Sequence, residues 1–109
     1  MMRFSTSVGF ALLFAGASAF AADEPAGKAI FDHNCAVCHA AGPGHPGTQR
    51  LAQARGPARA VLEQRTDLTP DYIRMVVRKG LIEMPPWRPV EIDDAALAQL
   101  VQYLTHGRK

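Results

Sequence analysis

The stretch Cys35-Ala36-Val37-Cys38-His39 contains the only two cysteines of this 109-residue chain, and a histidine follows them directly. Side chains three residues apart on a helical turn lie on the same side, so Cys35 and Cys38 can reach one object together. The imidazole of His39 then projects beside the two thiols. The role of this pentapeptide depends on what the rest of the chain offers it.

Two common roles of a Cys-x-x-Cys pair lack their partners in this sequence. A thioredoxin-like redox site belongs to a βαβ unit, whereas residues 24–34, just upstream, have a helical pattern. A structural zinc site needs four ligands, and the remaining histidines are scattered at His33, His45 and His106. Neither a thioredoxin-like site nor a zinc site is therefore expected.

The remaining interpretation uses every functional group of the pentapeptide. The thiols of Cys35 and Cys38 bond to the two vinyl groups of a haem, and His39 binds the iron from one side. The motif therefore predicts one covalently attached haem c.

The N-terminal residues 1–21 have the pattern of a secretory signal peptide. Arg3 precedes an apolar run at residues 8–20, and the small residues Ala19 and Ala21 stand before Ala22. The run is shorter than the ~20 residues that span a bilayer, which makes an uncleaved anchor the weaker alternative. We expect cleavage before Ala22, export to the periplasm, one small domain at residues 22–109 and no membrane span in the mature chain.

The size and charge of the chain limit its other functions. A domain of this length has a marginal apolar core unless a ligand reinforces it. The formal net charge is only +2, so nothing global indicates binding to nucleic acid or to an anionic membrane. Basic residues do cluster between positions 50 and 79, where they form either a docking surface or an ordinary solvated face: Arg50, Arg55, Arg59, Arg65, Arg74, Arg78 and Lys79.

Helix signals predict an all-α fold. A first helix begins at Pro25 and runs into Cys35, and a second extends from Pro70 to Lys79 between the N-cap Thr69 and Gly80. Residues 39–50 are rich in Gly and Pro and are expected to form a loop, followed by short helices at 48–56 and 57–65. Residues 81–89 contain three prolines and no regular pattern. Asp93 caps a last helix with an apolar stripe at Leu97, Leu100, Val101 and Leu104.

A haem that only carries electrons needs a second axial ligand opposite His39, and a methionine thioether raises its reduction potential. Met75 and Met84 lie beyond the predicted signal peptide. Met75 falls inside a helix, where methionine commonly fills gaps in the core. Met84 precedes Pro85 in an extended segment, which leaves its side chain free to point at a fixed target. Met84 is the predicted ligand, and His45 is the alternative.

Three stretches together resemble the class I, small monohaem cytochromes c: GKAIFDHNCAVCH at 27–39, MPPW at 84–87 and IDDAALAQLVQYL at 92–104. The resemblance implies three main helices and several short ones wrapped around one haem. It also implies that the first helix crosses the last, with Gly27 and Phe31 against Leu100 and Tyr103.

The same resemblance implies a hydrogen-bond acceptor for the histidine that binds the iron. In this family a proline carbonyl in the loop after the motif accepts a hydrogen bond from that histidine. In the present chain this carbonyl belongs to Pro43 or to Pro46, and the sequence does not decide which of the two accepts the hydrogen bond from His39.

A narrower resemblance concerns the partner. The stretches GHPGTQRLA at 44–52, LEQRTDLTP at 62–70 and MPPWRPVEIDDAAL at 84–97 resemble the cytochrome subunits of flavocytochromes of the p-cresol methylhydroxylase type. This resemblance implies that the chain accepts electrons from a flavoprotein that oxidises 4-alkylphenols and is not itself an enzyme. The alternatives are a diffusing carrier to a terminal oxidase or reductase, and a haem sensor or peroxidase with an open distal site, which Met84 disfavours.

Overall fold

Helices account for the regular structure of residues 25–106, the part of the chain that the computed structural model describes. They are α1 (Ala26–Asn34), α2 (Ala36–His39), α3 (Pro46–Arg55), α4 (Pro70–Lys79) and α5 (Asp94–Thr105), with 3-10 turns at Pro57–Arg59 and Leu62–Gln64. The single sheet-type pairing within 25–106 is an isolated bridge between Leu81 and Met84. The all-α prediction is confirmed. The predicted signal peptide and its cleavage site lie outside the described residues.

Helices α1 and α5 cross closely at Gly27. A Cβ atom at this position would overlap the carbonyl oxygen of Gln99 and lie 2.5 Å from Cβ of Tyr103. One turn further on, the rings of Phe31 and Tyr103 pack with their centroids 6.1 Å apart. The expected Gly and aromatic contact is therefore present, and it also involves the backbone of Gln99. Leu100 is fully buried in the same core cluster as Phe31 and Tyr103.

The core lies between α1, α4 and α5. All four apolar residues of the stripe predicted for α5 are buried, and they pack with side chains from the other two helices and from the segment before α5. The remaining core residues are Phe31, Ile73, Val77, Ile92 and Tyr103. No helix within residues 25–106 has the length and apolar character needed to cross a membrane.

Helix ends with a local capping signal were predicted correctly. The hydroxyl of Thr69 accepts a hydrogen bond from the backbone N–H of Tyr72 (3.3 Å) at the start of α4. Asp93 accepts one from the N–H of Ala96 (2.7 Å) at the start of α5. Gly80 ends α4 with a φ of 73°, in the left-handed region that glycine adopts without strain.

The segment between α2 and α4 corrects two expectations. Helix α3 begins at Pro46, inside the stretch expected to be a loop, because a proline at the first helical position loses no hydrogen bond and has a suitable φ. Residues 57–65, expected to form one short helix, instead form the two 3-10 turns.

Candidate haem site

The two cysteines lie on one tight turn between α1 and α2. The carbonyl oxygen of Cys35 accepts hydrogen bonds from the backbone N–H of Cys38 (3.1 Å) and of His39 (2.9 Å). Both cysteines are free thiols and both are half-buried. The turn thus presents two unpaired thiols and an imidazole within five residues.

Burial sets the protonation of these groups. Desolvation lowers the pKa of His39, so the ring is neutral at neutral pH, as a metal ligand must be. Desolvation, followed by the proximity of Cys38, raises the pKa of Cys35 to about 11, so this thiol keeps its proton. The Nδ1 atom of His39 is buried and has no hydrogen-bond partner. A buried polar atom without a partner needs an explanation, and a functional role is one of the known explanations. The donor set of two thiols and one neutral imidazole fits a covalently attached haem.

Gly47, which the sequence interpretation missed, lies directly against the His39 ring. A Cβ atom at position 47 would be 2.7 Å from the carbonyl oxygen of Cys38, 2.7 Å from Cε1 of His39 and 2.9 Å from its Nδ1. The first turn of α3 can therefore approach the imidazole only with a glycine at this position. A glycine directly after the helix-starting Pro46 is the signal that could have indicated it.

Two side-chain contacts fix α3 to the cysteine turn. The hydroxyl of Thr48, which is buried, donates to the carbonyl of Ala40 (2.8 Å), and Nδ1 of His45 lies 3.1 Å from the carbonyl of Val37. The second contact holds His45 next to the turn that carries His39, which disfavours His45 as the ligand from the opposite side.

The expectation that Pro43 or Pro46 orients His39 is not met. Nδ1 of His39 makes no hydrogen bond, so neither proline carbonyl accepts its proton in this structure.

The predicted ligand Met84 lies at the end of a four-residue turn. Leu81 N–H donates to the Met84 carbonyl (3.0 Å) and Met84 N–H donates to the Leu81 carbonyl (2.9 Å). Ile82, inside the turn, has a φ of 54°, which is unusual and strained for a β-branched residue. A Cβ atom at Gly80 would lie 2.6 Å from the Met84 carbonyl, so glycine also allows the turn to fold back on the end of α4. Met84 itself is half-buried.

The other methionine is placed differently from our expectation. Met75, expected to fill the core, lies on α4 with 44% of its surface exposed. Within the described chain it is therefore not a core residue.

The segment after Met84 is held against α4 by hydrogen bonds that the segment donates to the helix and by others that the helix donates to the segment. The backbone N–H of Trp87 donates to the carbonyl of Val77 (2.7 Å). Nη1 of Arg78 donates to the carbonyls of Trp87 (3.2 Å) and Ile92 (2.8 Å). Its Nη2 donates to Asp94 (2.8 Å). Trp87 itself is partly buried and packs against the core.

Helix α3 connects the surroundings of the two predicted iron ligands. Its first turn contacts His39 through Gly47, and Arg50, one turn later, has Nε 3.9 Å from a carboxylate oxygen of Glu83. Glu83 immediately precedes Met84. The ion pair is exposed and contributes little energy, yet it shows that α3 lies near both His39 and the residue that precedes Met84.

Most of the basic cluster is paired with carboxylates. Within residues 25–106, Arg55 and Lys79 are its only members without an ion pair. The pairs are Arg50–Glu83, Arg59–Asp67, Arg65–Asp67, Arg74–Asp71 and Arg78–Asp94. The hydrogen bond from Arg65 is the largest cause that lowers the pKa of Asp67 to about 2. The surface is therefore less positive than the sequence suggests.

Comparison with protein families matches residues 22–104 to the family of cytochrome c oxidase, cbb3-type, subunit III. The chain belongs to this family. It contains a c-type cytochrome domain, and its function is electron transfer on haem c. This membership confirms the coarser interpretation of the sequence as a small class I cytochrome c. Comparisons with curated proteins and with solved structures gave no match.

Proposed function

We propose that the chain carries a single haem c bonded to Cys35 and Cys38, with His39 and Met84 as the two axial ligands, and that it transfers electrons in the periplasm. The observation that carries this proposal is the half-buried, neutral imidazole of His39, with its Nδ1 atom buried, on the same turn as two free thiols. When bound, haem c supplies an iron that gains and loses one electron.

The residues of the chain prepare the site for this single task. Cys35, protonated because desolvation raises its pKa, and Cys38 provide the thiols for covalent attachment. Gly47 allows α3 to cover the His39 ring, which excludes water from that side. Met84, as the second ligand, leaves no open coordination position for a substrate. A sensor or peroxidase would need such a position, so electron transfer is the function that this residue set favours.

The assignment of Met84 can be tested by exchanging the two methionines separately. Met84→Ala should abolish the weak sulfur-to-iron absorption band at the red end of the oxidised spectrum and lower the reduction potential. Met75→Ala is the matched control, because Met75 lies on an exposed part of α4 and should leave the band in place. A Met84→Ala protein that retains the band would overturn the axial assignment.

We also propose that the electron donor is a flavoprotein that oxidises 4-alkylphenols. The support is the resemblance of residues 44–52, 62–70 and 84–97 to the cytochrome subunits of p-cresol methylhydroxylase-type flavocytochromes. Ile82 provides an apolar contact for such a partner, since it is 87% exposed and two residues from Met84. Purification from the native host tests this proposal: flavin absorbance should elute together with haem absorbance, and haem that elutes without any flavoprotein would contradict a stable complex.

A second candidate is delivery of electrons to a terminal oxidase. The matching family is named for a subunit of a cytochrome c oxidase, which favours this role. The two candidates differ in the kinetics of the purified protein. Rapid oxidation of the reduced protein by oxidase-containing membranes, without reduction by any flavoprotein fraction, would favour the second candidate over the first.

A further inference from the structure

Arg78 makes an unusual set of contacts for a charged residue near a helix end. Its side chain is only 22% exposed, and it donates three hydrogen bonds. Two of these go to the carbonyls of Trp87 and Ile92, which lie three and eight residues after Met84. The third goes to Asp94, in the first turn of α5. One guanidinium thus connects α4, the segment after Met84 and the start of α5.

The ion pair is the least important of these contacts. Asp94 has 93% of its side chain exposed, and exposed pairs are weakened by solvent. The two bonds to carbonyls are part-buried and charge-assisted, which makes them the stronger ones. Lysine, with a single ammonium group, cannot reproduce this fork of donors.

The turn that carries Met84 depends on contacts of this kind because its local preferences oppose its conformation. Ile82 is held at a φ of 54°, and such strain persists only where surrounding contacts enforce it. Pro85 and Pro86 have no N–H, so they cannot donate a backbone hydrogen bond to hold the segment. After Met84, the next anchors are at Trp87, through Val77 and Arg78.

We propose that Arg78 is a positioning residue for Met84, acting through the carbonyls of Trp87 and Ile92 to keep the thioether on the iron. The inference rests on the proposed axial role of Met84. It also gives Arg78 a role different from the docking charge that its position in the basic cluster suggested.

The test measures how readily the Met84 side chain leaves the iron. Oxidised holoprotein is titrated with imidazole, which can bind the iron only after the thioether has left, and the red sulfur band is followed as pH is raised. Arg78→Gln should tighten the apparent Kd for imidazole by about tenfold or more, the effect expected from losing charge-assisted hydrogen bonds. It should also lower the pH at which the band disappears.

Three further variants separate positioning from charge. Arg78→Lys, which keeps the charge but not the fork, should behave like Arg78→Gln to a smaller extent. Asp94→Asn, which removes only the exposed ion pair, should leave the apparent Kd close to that of the wild type. Arg74→Gln is the matched control one turn earlier on α4, where the arginine makes only a 3.4 Å exposed pair with Asp71, and it should change nothing.

The inference is overturned if Arg78→Gln lowers the melting temperature while the apparent Kd for imidazole stays at the wild-type value, because that result shows a purely structural role. If Arg78→Gln yields no holoprotein, the same readout on Arg78→Lys decides. Met84→Ala distinguishes a failure of the ligand assignment of Met84 from a failure of the positioning role of Arg78. A sulfur band that survives Met84→Ala refutes the ligand assignment, whereas a band lost there with unchanged imidazole binding in the Arg78 variants refutes only the positioning role.

Discussion

The regions around His39 and Met84 are built in opposite ways. The cysteine turn is local, since the carbonyl of Cys35 accepts both backbone hydrogen bonds that shape it, from Cys38 and from His39. The turn of Met84 contains a strained residue, and its flanks are held by contacts from other parts of the chain. The comparison indicates that the His39 side should respond to changes within the turn or directly against it, whereas the Met84 side should open when a distant contact is removed.

The largest expected effect comes from removing both attachment points. Cys35→Ala combined with Cys38→Ala should leave the chain largely unfolded, because a domain of this size buries little apolar area without its ligand. Circular dichroism and limited proteolysis would measure this. A cooperative thermal transition close to that of the holoprotein would show that the fold needs no attached haem.

A smaller effect is expected where α3 lies on the histidine. Gly47→Ala adds a methyl group 2.7 Å from the Cys38 carbonyl and from Cε1 of His39. Alanine is the better helix former by ~1 kcal/mol, but the overlap should outweigh this and destabilise the protein by about 1–3 kcal/mol. The haem absorption spectrum should shift as well, as the ring is displaced.

Gly44→Ala is the control for Gly47→Ala. Gly44 has a φ of 85° and open space around a Cβ atom, so this variant strains the backbone without touching His39. It should lower the melting temperature and leave the spectrum unchanged. Equal spectral shifts in both variants would mean that contact with the ring is not the cause.

The smallest effect should appear in the Met84 turn, and it should be stabilising. Ile82→Gly relieves a left-handed conformation that costs a side-chain-bearing residue about 1–2 kcal/mol, and the added freedom of glycine in the unfolded chain offsets about half of that gain. If Ile82 is also the contact for the redox partner, the same variant should slow electron transfer. Calorimetry and stopped-flow reduction measure the two effects.

Val90→Gly provides the comparison for Ile82→Gly. Val90 is 82% exposed and is not in the left-handed region, so its replacement by glycine should only lower stability. A similar loss of stability in both variants would show that the Ile82 turn is not strained. Unchanged electron transfer in Ile82→Gly would remove this residue from the partner surface.

Sequence predicted those features that neighbouring residues determine. The limits of α4 and the start of α5 followed from Thr69, Pro70, Gly80 and Asp93. Each of these residues starts or ends a helix through contacts within one helical turn. The haem motif was recognisable for the same reason, as its chemistry is contained in five consecutive residues.

Features that depend on distant residues were missed or misread. Arg78 was grouped with surface charges, because nothing in the adjacent sequence shows that the carbonyls of Trp87 and Ile92 accept hydrogen bonds from it in the folded chain. Gly47 looked like part of a flexible loop, because the position of the His39 ring is known only once the chain has folded. The prediction of Met84 as a ligand rests on its prolines and stays a prediction, whereas the hydrogen bonds that hold the segment after it could not be predicted from the sequence.

The crossing of α1 and α5 at Gly27 also affects the order in which parts of the domain can fold. A polypeptide appears from its N-terminus, so α1 and the thiols of Cys35 and Cys38 exist well before α5 has been made. The core cannot close until α5 arrives to pack against Phe31. During that interval the cysteines belong to an open chain, so the covalent attachment proposed for them would not need the last helix.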